Sequence, residues 1–132
     1  MAHRFSPLAL LTPVAALSML AACSDSTSNN SNPPAADVSI VAGAALLTNT
    51  AFNPDTITVT LGGGASTKVV WRNDDIPAGG VLHHVTDTTA AAAFDVAVTA
   101  GDTSSVTFTV AGEYPYKCSI HPGMRGLVVV TP

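Results

Sequence analysis

From Asp37 to the last residue, apolar side chains recur at every second position over short runs, and Gly, Pro, Asn or Asp closes most of the runs. A period of two sends successive side chains to opposite faces of an extended chain, whereas a helix needs apolar positions three and four apart. The pattern therefore predicts strands. Ile57, Val59 and Leu61 alternate with Thr56, Thr58 and Thr60 until Gly62-Gly63-Gly64 stops the run. Val69 and Trp71 carry a second strand. Val106, Phe108 and Val110 alternate with Thr107 and Thr109 before a turn at Gly112, and residues 127–130 close the chain as a continuous apolar strand. Only the four alanines at 90–93 hint at a helical turn. Short strands separated by closely spaced turns predict an all-β fold, an antiparallel Greek-key β-sandwich over residues 37–132. A chain of 132 residues has room for one such core and not for two.

The first 36 residues lack this pattern. His3 and Arg4 precede an apolar stretch, residues 5–20, that runs into small residues, the order found in a secretory signal peptide. Pro7 and Pro13 interrupt the stretch, and a retained spanning helix needs about 20 mainly apolar residues. Leu20-Ala21-Ala22-Cys23 resembles the lipobox of bacterial lipoproteins. That resemblance implies a signal peptide of residues 1–22 and a lipidated Cys23 that fixes the protein to a lipid bilayer. The alternative is a plain secretory signal followed by an unmodified cysteine. Asp after the cysteine would suggest inner-membrane retention in a two-membrane bacterium, whereas Ser24 leaves the outer membrane open. Residues 24–36, SDSTSNNSNPPAA, cannot bury enough apolar surface to fold, so residues 23–36 form the lipidated cysteine and a flexible tether.

Charge and cysteine content narrow the function. Charged residues make up 11% of the chain, the net charge is -4, and one of the five basic residues is Arg4 in the signal segment. No basic stripe exists for a phosphate backbone, which excludes nucleic acid as a partner, and no polybasic patch exists for a lipid surface. The chain has two cysteines. With Cys23 acylated, Cys118 is a lone thiol on the oxidising, extracytoplasmic side of the cell envelope, where it is exposed to oxidation unless something occupies it. A metal ion would do so.

Residues 114–126, YPYKCSIHPGMRG, place a thiol (Cys118), an imidazole (His121) and a thioether (Met124) at steps of three. Soft sulfur with borderline nitrogen suits copper, and a trigonal His2Cys set with a weak axial Met defines the blue-copper electron-transfer centre. The loop lacks one histidine, for which His83 and His84 are the candidates. Residues two apart share a strand face, so His83 stands with Val81 and Val85 while His84 stands with Leu82 and Thr86. The valines favour His83 for the core-facing side.

The residues so far named carry a resemblance to a family. Ala51-Phe52-Asn53-Pro54 with Ile57 and Val59, Trp71-Arg72-Asn73-Asp74-Asp75, and His83-His84-Val85-Thr86 resemble successive segments of the cupredoxins, and of amicyanin and the plastocyanins above all. The Cys-x2-His-x2-Met spacing, with Pro122 and Arg125-Gly126, is similar to the short ligand loop of amicyanin. His84 departs from the family, which usually has Asn or Thr there. The resemblance implies that His83, Cys118, His121 and Met124 hold one copper ion cycling between Cu(I) and Cu(II). It also implies a monomeric one-electron carrier, not an enzyme, that serves redox proteins of the cell envelope. His121 is then the electron port, framed by an apolar patch of Leu82, Pro122, Gly123 and the Gly79-Gly80 turn.

Other readings use some of the same residues. A copper storage or delivery module could use all four ligands without a redox partner, although the tether lacks the extra Met or His clusters that would favour it. Cys118 as a catalytic nucleophile needs a third orienting residue, and none is visible. A structural zinc site leaves Met124 unexplained. A copper oxidase or nitrite reductase needs further copper sites than a chain of this length holds. Tyr114, Tyr116 and Trp71 read as packing residues.

Overall fold

The computed structural model describes residues 35–63 and 66–132. The signal segment, Cys23 and all but the last two tether residues lie outside the described residues. Among the described residues no helix is long and apolar enough to cross a membrane.

Nine strands are seen in this part of the chain. They are β1 (Val38–Ile40), β2 (Phe52–Asn53), β3 (Thr56–Thr60), β4 (Thr67–Asn73), β5 (His83–Asp87), β6 (Asp95–Val98), β7 (Thr103–Phe108), β8 (Gly112–Lys117) and β9 (Arg125–Thr131). One 3-10 turn, Ala44–Leu46, interrupts the β1–β2 connection. Two sheets form, in the orders β2-β1-β4-β7 and β3-β9-β8-β5-β6, and they pack as a β-sandwich. The all-β architecture follows the alternation in the sequence. Strand direction is less uniform than expected, because β1 runs parallel to β4 and β3 runs parallel to β9 while the other pairs are antiparallel. Neither parallel pair joins consecutive strands, so no hairpin turn dictates its direction.

The core lies between the sheets. β4 buries Val69, Trp71 and Asn73 on its inner face, and β1 adds Val38 and Ile40. Opposite them stand Val85, Val98, Tyr116, Val128 and Val130 of the second sheet. Trp71 meets Tyr116 edge to face, with ring centroids 5.6 Å apart, and Tyr116 meets Phe52 in the same way at 4.8 Å. The hydroxyl end of Tyr116 also lies against Gly126, so close that a Cβ there would clash and displace the tyrosine. Trp71 and Tyr116 pack in the core as expected, with Phe52 beside them. Ile57 and Val59 are only half-buried, because β3 is an edge strand paired with β9 alone.

Two local expectations differ in the structure. Val110 lies beyond the end of β7 and is exposed, since the β4–β7 ladder stops at the Thr67–Phe108 pair. Its carbonyl instead accepts the Tyr114 hydroxyl at 2.9 Å. The alanines at 90–93 form a tight turn and not a helix: Ala92 N–H donates to the Thr89 carbonyl and Ala92 takes a positive φ of 44°. Asp87 holds this turn, its carboxylate accepting from the Thr89 N–H, the Thr89 hydroxyl and the Ala93 N–H at 2.7–2.9 Å.

Strand register brings the chemistry to one end of the sandwich. β5 and β8 are antiparallel, with Thr86 opposite Lys117 and Asp87 opposite Tyr116. The start of β5 therefore lies beside the end of β8. β9 returns from the same point, with Arg125 opposite Lys117, so residues 118–124 form the loop capping that end.

Candidate metal centre

His83 is the first residue of β5 and is fully buried, as alternation beside Val85 requires. Its Nδ1 lies 3.7 Å from Cys118 Sγ. His121 approaches the sulfur from the capping loop, with Nδ1 at 3.6 Å. The three donor atoms lie within 4.8 Å of one another. His84 turns to the other face, where Nδ1 sits 2.9 Å from Asp95 Oδ1. The structure thus brings His83 to the sulfur and takes the His84 side chain away from it.

Cys118 is buried and is the free cysteine among the described residues. It receives a hydrogen bond from the His84 backbone N–H at 3.4 Å, so His84 touches the site through its main chain. Met124 is fully buried on the same loop. Its carbonyl accepts the Cys118 N–H at 3.2 Å and its N–H donates to the His121 carbonyl at 3.0 Å, which ties the three loop residues into one closed turn.

The separations suit a shared ion. Transition metals take imidazole nitrogen at about 2.0 Å and thiolate sulfur at about 2.3 Å. At bond angles of roughly 110–120° those lengths hold N and S about 3.5–3.7 Å apart, which is the spacing observed on both sides of Cys118. Two imidazole nitrogens and a cysteine sulfur make a donor set of the softness that copper prefers.

Electrostatics prepare His83 as a neutral donor. Burial lowers its pKa from the ordinary histidine value; a hydrogen bond to Asp75 acts in the opposite direction and is outweighed. Asp75 is a site residue that the sequence pattern alone did not single out. It was visible only as the end of the Trp71–Asp75 segment, and carboxylates are so commonly solvated that nothing marked this one for burial. Its Oδ2 lies 3.0 Å from His83 Nε2, and its Oδ1 accepts the Gly43 N–H at 2.8 Å. Burial alone would raise its pKa, but the bonds from Gly43, His83 and Ala45 prevail and hold it below the usual carboxylate range.

His121 is only partly buried, and its loop neighbours Ile120 and Pro122 are exposed, as is Leu82 beside His83. His121 is thus the imidazole of the site that meets solvent, and exposed apolar residues flank it in the sequence.

Comparison with known proteins agrees with this geometry. The sequence profile of copper binding proteins of the plastocyanin/azurin family matches residues 38–131. Among solved structures, a purple cupredoxin from Nitrosopumilus maritimus is 28% identical, with a TM-score of 0.60 over 71% of this chain and 97% of that one. A reduced mutant of amicyanin is 32% identical over 58% of this chain and 69% of that one, with a TM-score of 0.47. A copper-containing nitrite reductase from Thermus scotoductus is 27% identical, with a TM-score of 0.49, over 61% of this chain and 20% of its own length. Among curated proteins no match to the sequence was found. The profile spans nearly all of the described sandwich and includes His83, Cys118, His121 and Met124, and so the chain belongs to the plastocyanin/azurin family of copper-binding cupredoxins.

Proposed function

We propose that this protein is a type 1 blue-copper carrier that moves single electrons in the cell envelope, with His83, Cys118, His121 and Met124 as the copper ligands. One observation carries the reading: two imidazole Nδ1 atoms flank a buried cysteine sulfur at 3.6 and 3.7 Å. Copper bound there supplies a one-electron couple between Cu(I) and Cu(II).

The protein supplies the rest. Cys118 binds as thiolate, a form that metal coordination itself stabilises, and the His84 N–H directed at the sulfur favours the negative charge. His83 is held in the strand ladder and cannot swing away. The closed turn of Cys118, His121 and Met124 limits rearrangement of the loop when the charge of the centre changes. His121 is the electron port, because it alone of the two imidazoles reaches solvent. Its apolar surround suits the small, short-lived contacts of redox encounters, and redox proteins of the cell envelope are the partners this surface fits. Lipidation at Cys23 and the tether of residues 24–36 would hold the monomeric domain near a membrane on the extracytoplasmic side. A His2Cys set with an axial Met is the ligand set of electron-transfer copper centres, which favours a carrier over an enzyme.

Loading the purified chain with Cu(II) tests the reading. An intense blue sulfur-to-copper charge-transfer band that bleaches reversibly on reduction is expected. A colourless, redox-silent product would eliminate the carrier.

A further inference from the structure

The side of His83 that faces away from Cys118 rests against a carboxylate whose own surroundings are neutral. Asp75 and His83 are buried together, with side-chain exposures of 3% and 0%. The carboxylate of Asp75 accepts the backbone N–H of Gly43 and faces the ring of His83. An ionised carboxylate only accepts hydrogen bonds, so the ring nitrogen that faces it must carry the proton. That nitrogen is Nε2. The lone pair is then left on Nδ1, the atom that points at the sulfur.

The segment that carries Asp75 is clamped on several sides. Its N–H donates to Asn73 Oδ1 at 2.9 Å, and its carbonyl accepts the Val81 N–H at 3.2 Å. Asn73 Nδ2 in turn donates to the carbonyls of Val81 and Val98, at 2.7 and 2.8 Å. These bonds fix Asp75 to the approach to β5 on one side and, through Gly43, to the β1–β2 loop on the other. A carboxylate held this way cannot turn to solvent.

Building on the copper-carrier reading, we propose that Asp75 is a positioning residue for the metal centre. It selects the His83 tautomer that offers Nδ1 to copper, and it sets a fixed negative charge behind the ring that favours Cu(II) over Cu(I). The oxidised centre carries one more positive charge than the reduced one, and in a buried site a nearby anion stabilises the more positive state. Removing the charge while keeping the shape must therefore make the centre a stronger oxidant. A carboxylate that served only to hold the loop would leave both the tautomer and the potential unchanged.

The test compares the full chain with its Asp75→Asn variant, both loaded with Cu(II). Two blue proteins are expected, with the Cu(II)/Cu(I) equilibrium of the variant shifted about tenfold toward Cu(I), which is ~59 mV upward for a one-electron couple. Equal potentials in two blue proteins would overturn the role of Asp75 and leave the copper reading intact. A wild-type chain that stays colourless would overturn the copper reading and this inference with it. Should the variant not fold, nitrogen-15 NMR of the wild-type Cu(I) form decides without any substitution. A slowly exchanging proton on His83 Nε2 is expected, and a rapidly exchanging one would contradict the proposal.

Discussion

At the scale of single residues, function divides between neighbours one peptide bond apart. The pleat sends His83 to the sulfur and His84 to Asp95, so two identical side chains occupy opposite faces of one strand. His83→Ala should abolish the blue band, because it removes a nitrogen from the trigonal set. His84→Ala should leave the band in place, since its contact with Cys118 is made by the backbone N–H. Absorption spectra of the two copper-loaded variants check this, and a lost band in the second would reverse the assignment. The alternation of valines around His83 makes this choice legible in the sequence. Asp75 was not legible, because burial of a carboxylate depends on a donor from Gly43, more than thirty positions away, and no local pattern encodes such a meeting.

At the scale of elements, local alternation described the strands well and their pairing poorly. It located β3, β4 and β9 because each face choice is a property of adjacent residues. It said nothing of which distant strands would lie parallel, which is decided by how the closed sandwich buries both sheets. The turn after β5 shows a similar limit, since four alanines hint at a helical turn but do not disclose that Asp87 claims the N–H groups around them. Asp87 is buried; desolvation alone would raise its pKa, but the hydrogen bonds from Thr89 and Ala93 prevail and hold it below the usual range. A carboxyl with a depressed folded-state pKa adds stability that is fully present above its unfolded value of about 3.9 and fades as pH falls through the folded value. Asp87→Ala should therefore cost about 1.5–3 kcal/mol at pH 7. The deficit should shrink in acid. Urea unfolding at both pH values measures it, and a deficit that stays constant would show that the carboxylate charge is not what holds the turn.

At the scale of the whole molecule, a sandwich built from short strands presents one end to carry chemistry, and the membership of residues 38–131 in a copper-binding family fits that arrangement. The site was largely legible because three of its four proposed ligands fall within seven residues, where spacing alone preserves their relation. The fourth required a fold. The tether and anchor are a separate proposal with a separate test: the mass of the protein extracted from the membrane fraction should show Cys23 as its first residue with acyl chains attached. A mature chain carrying an unmodified Cys23 would refute lipidation at that cysteine. The central claim is that one copper ion joins His83, Cys118 and His121. Anomalous diffraction at the copper edge from copper-loaded crystals measures this most directly. A single peak within bonding distance of both Nδ1 atoms and the sulfur is predicted, and a peak elsewhere, or bonded to the sulfur without both imidazoles, would contradict it.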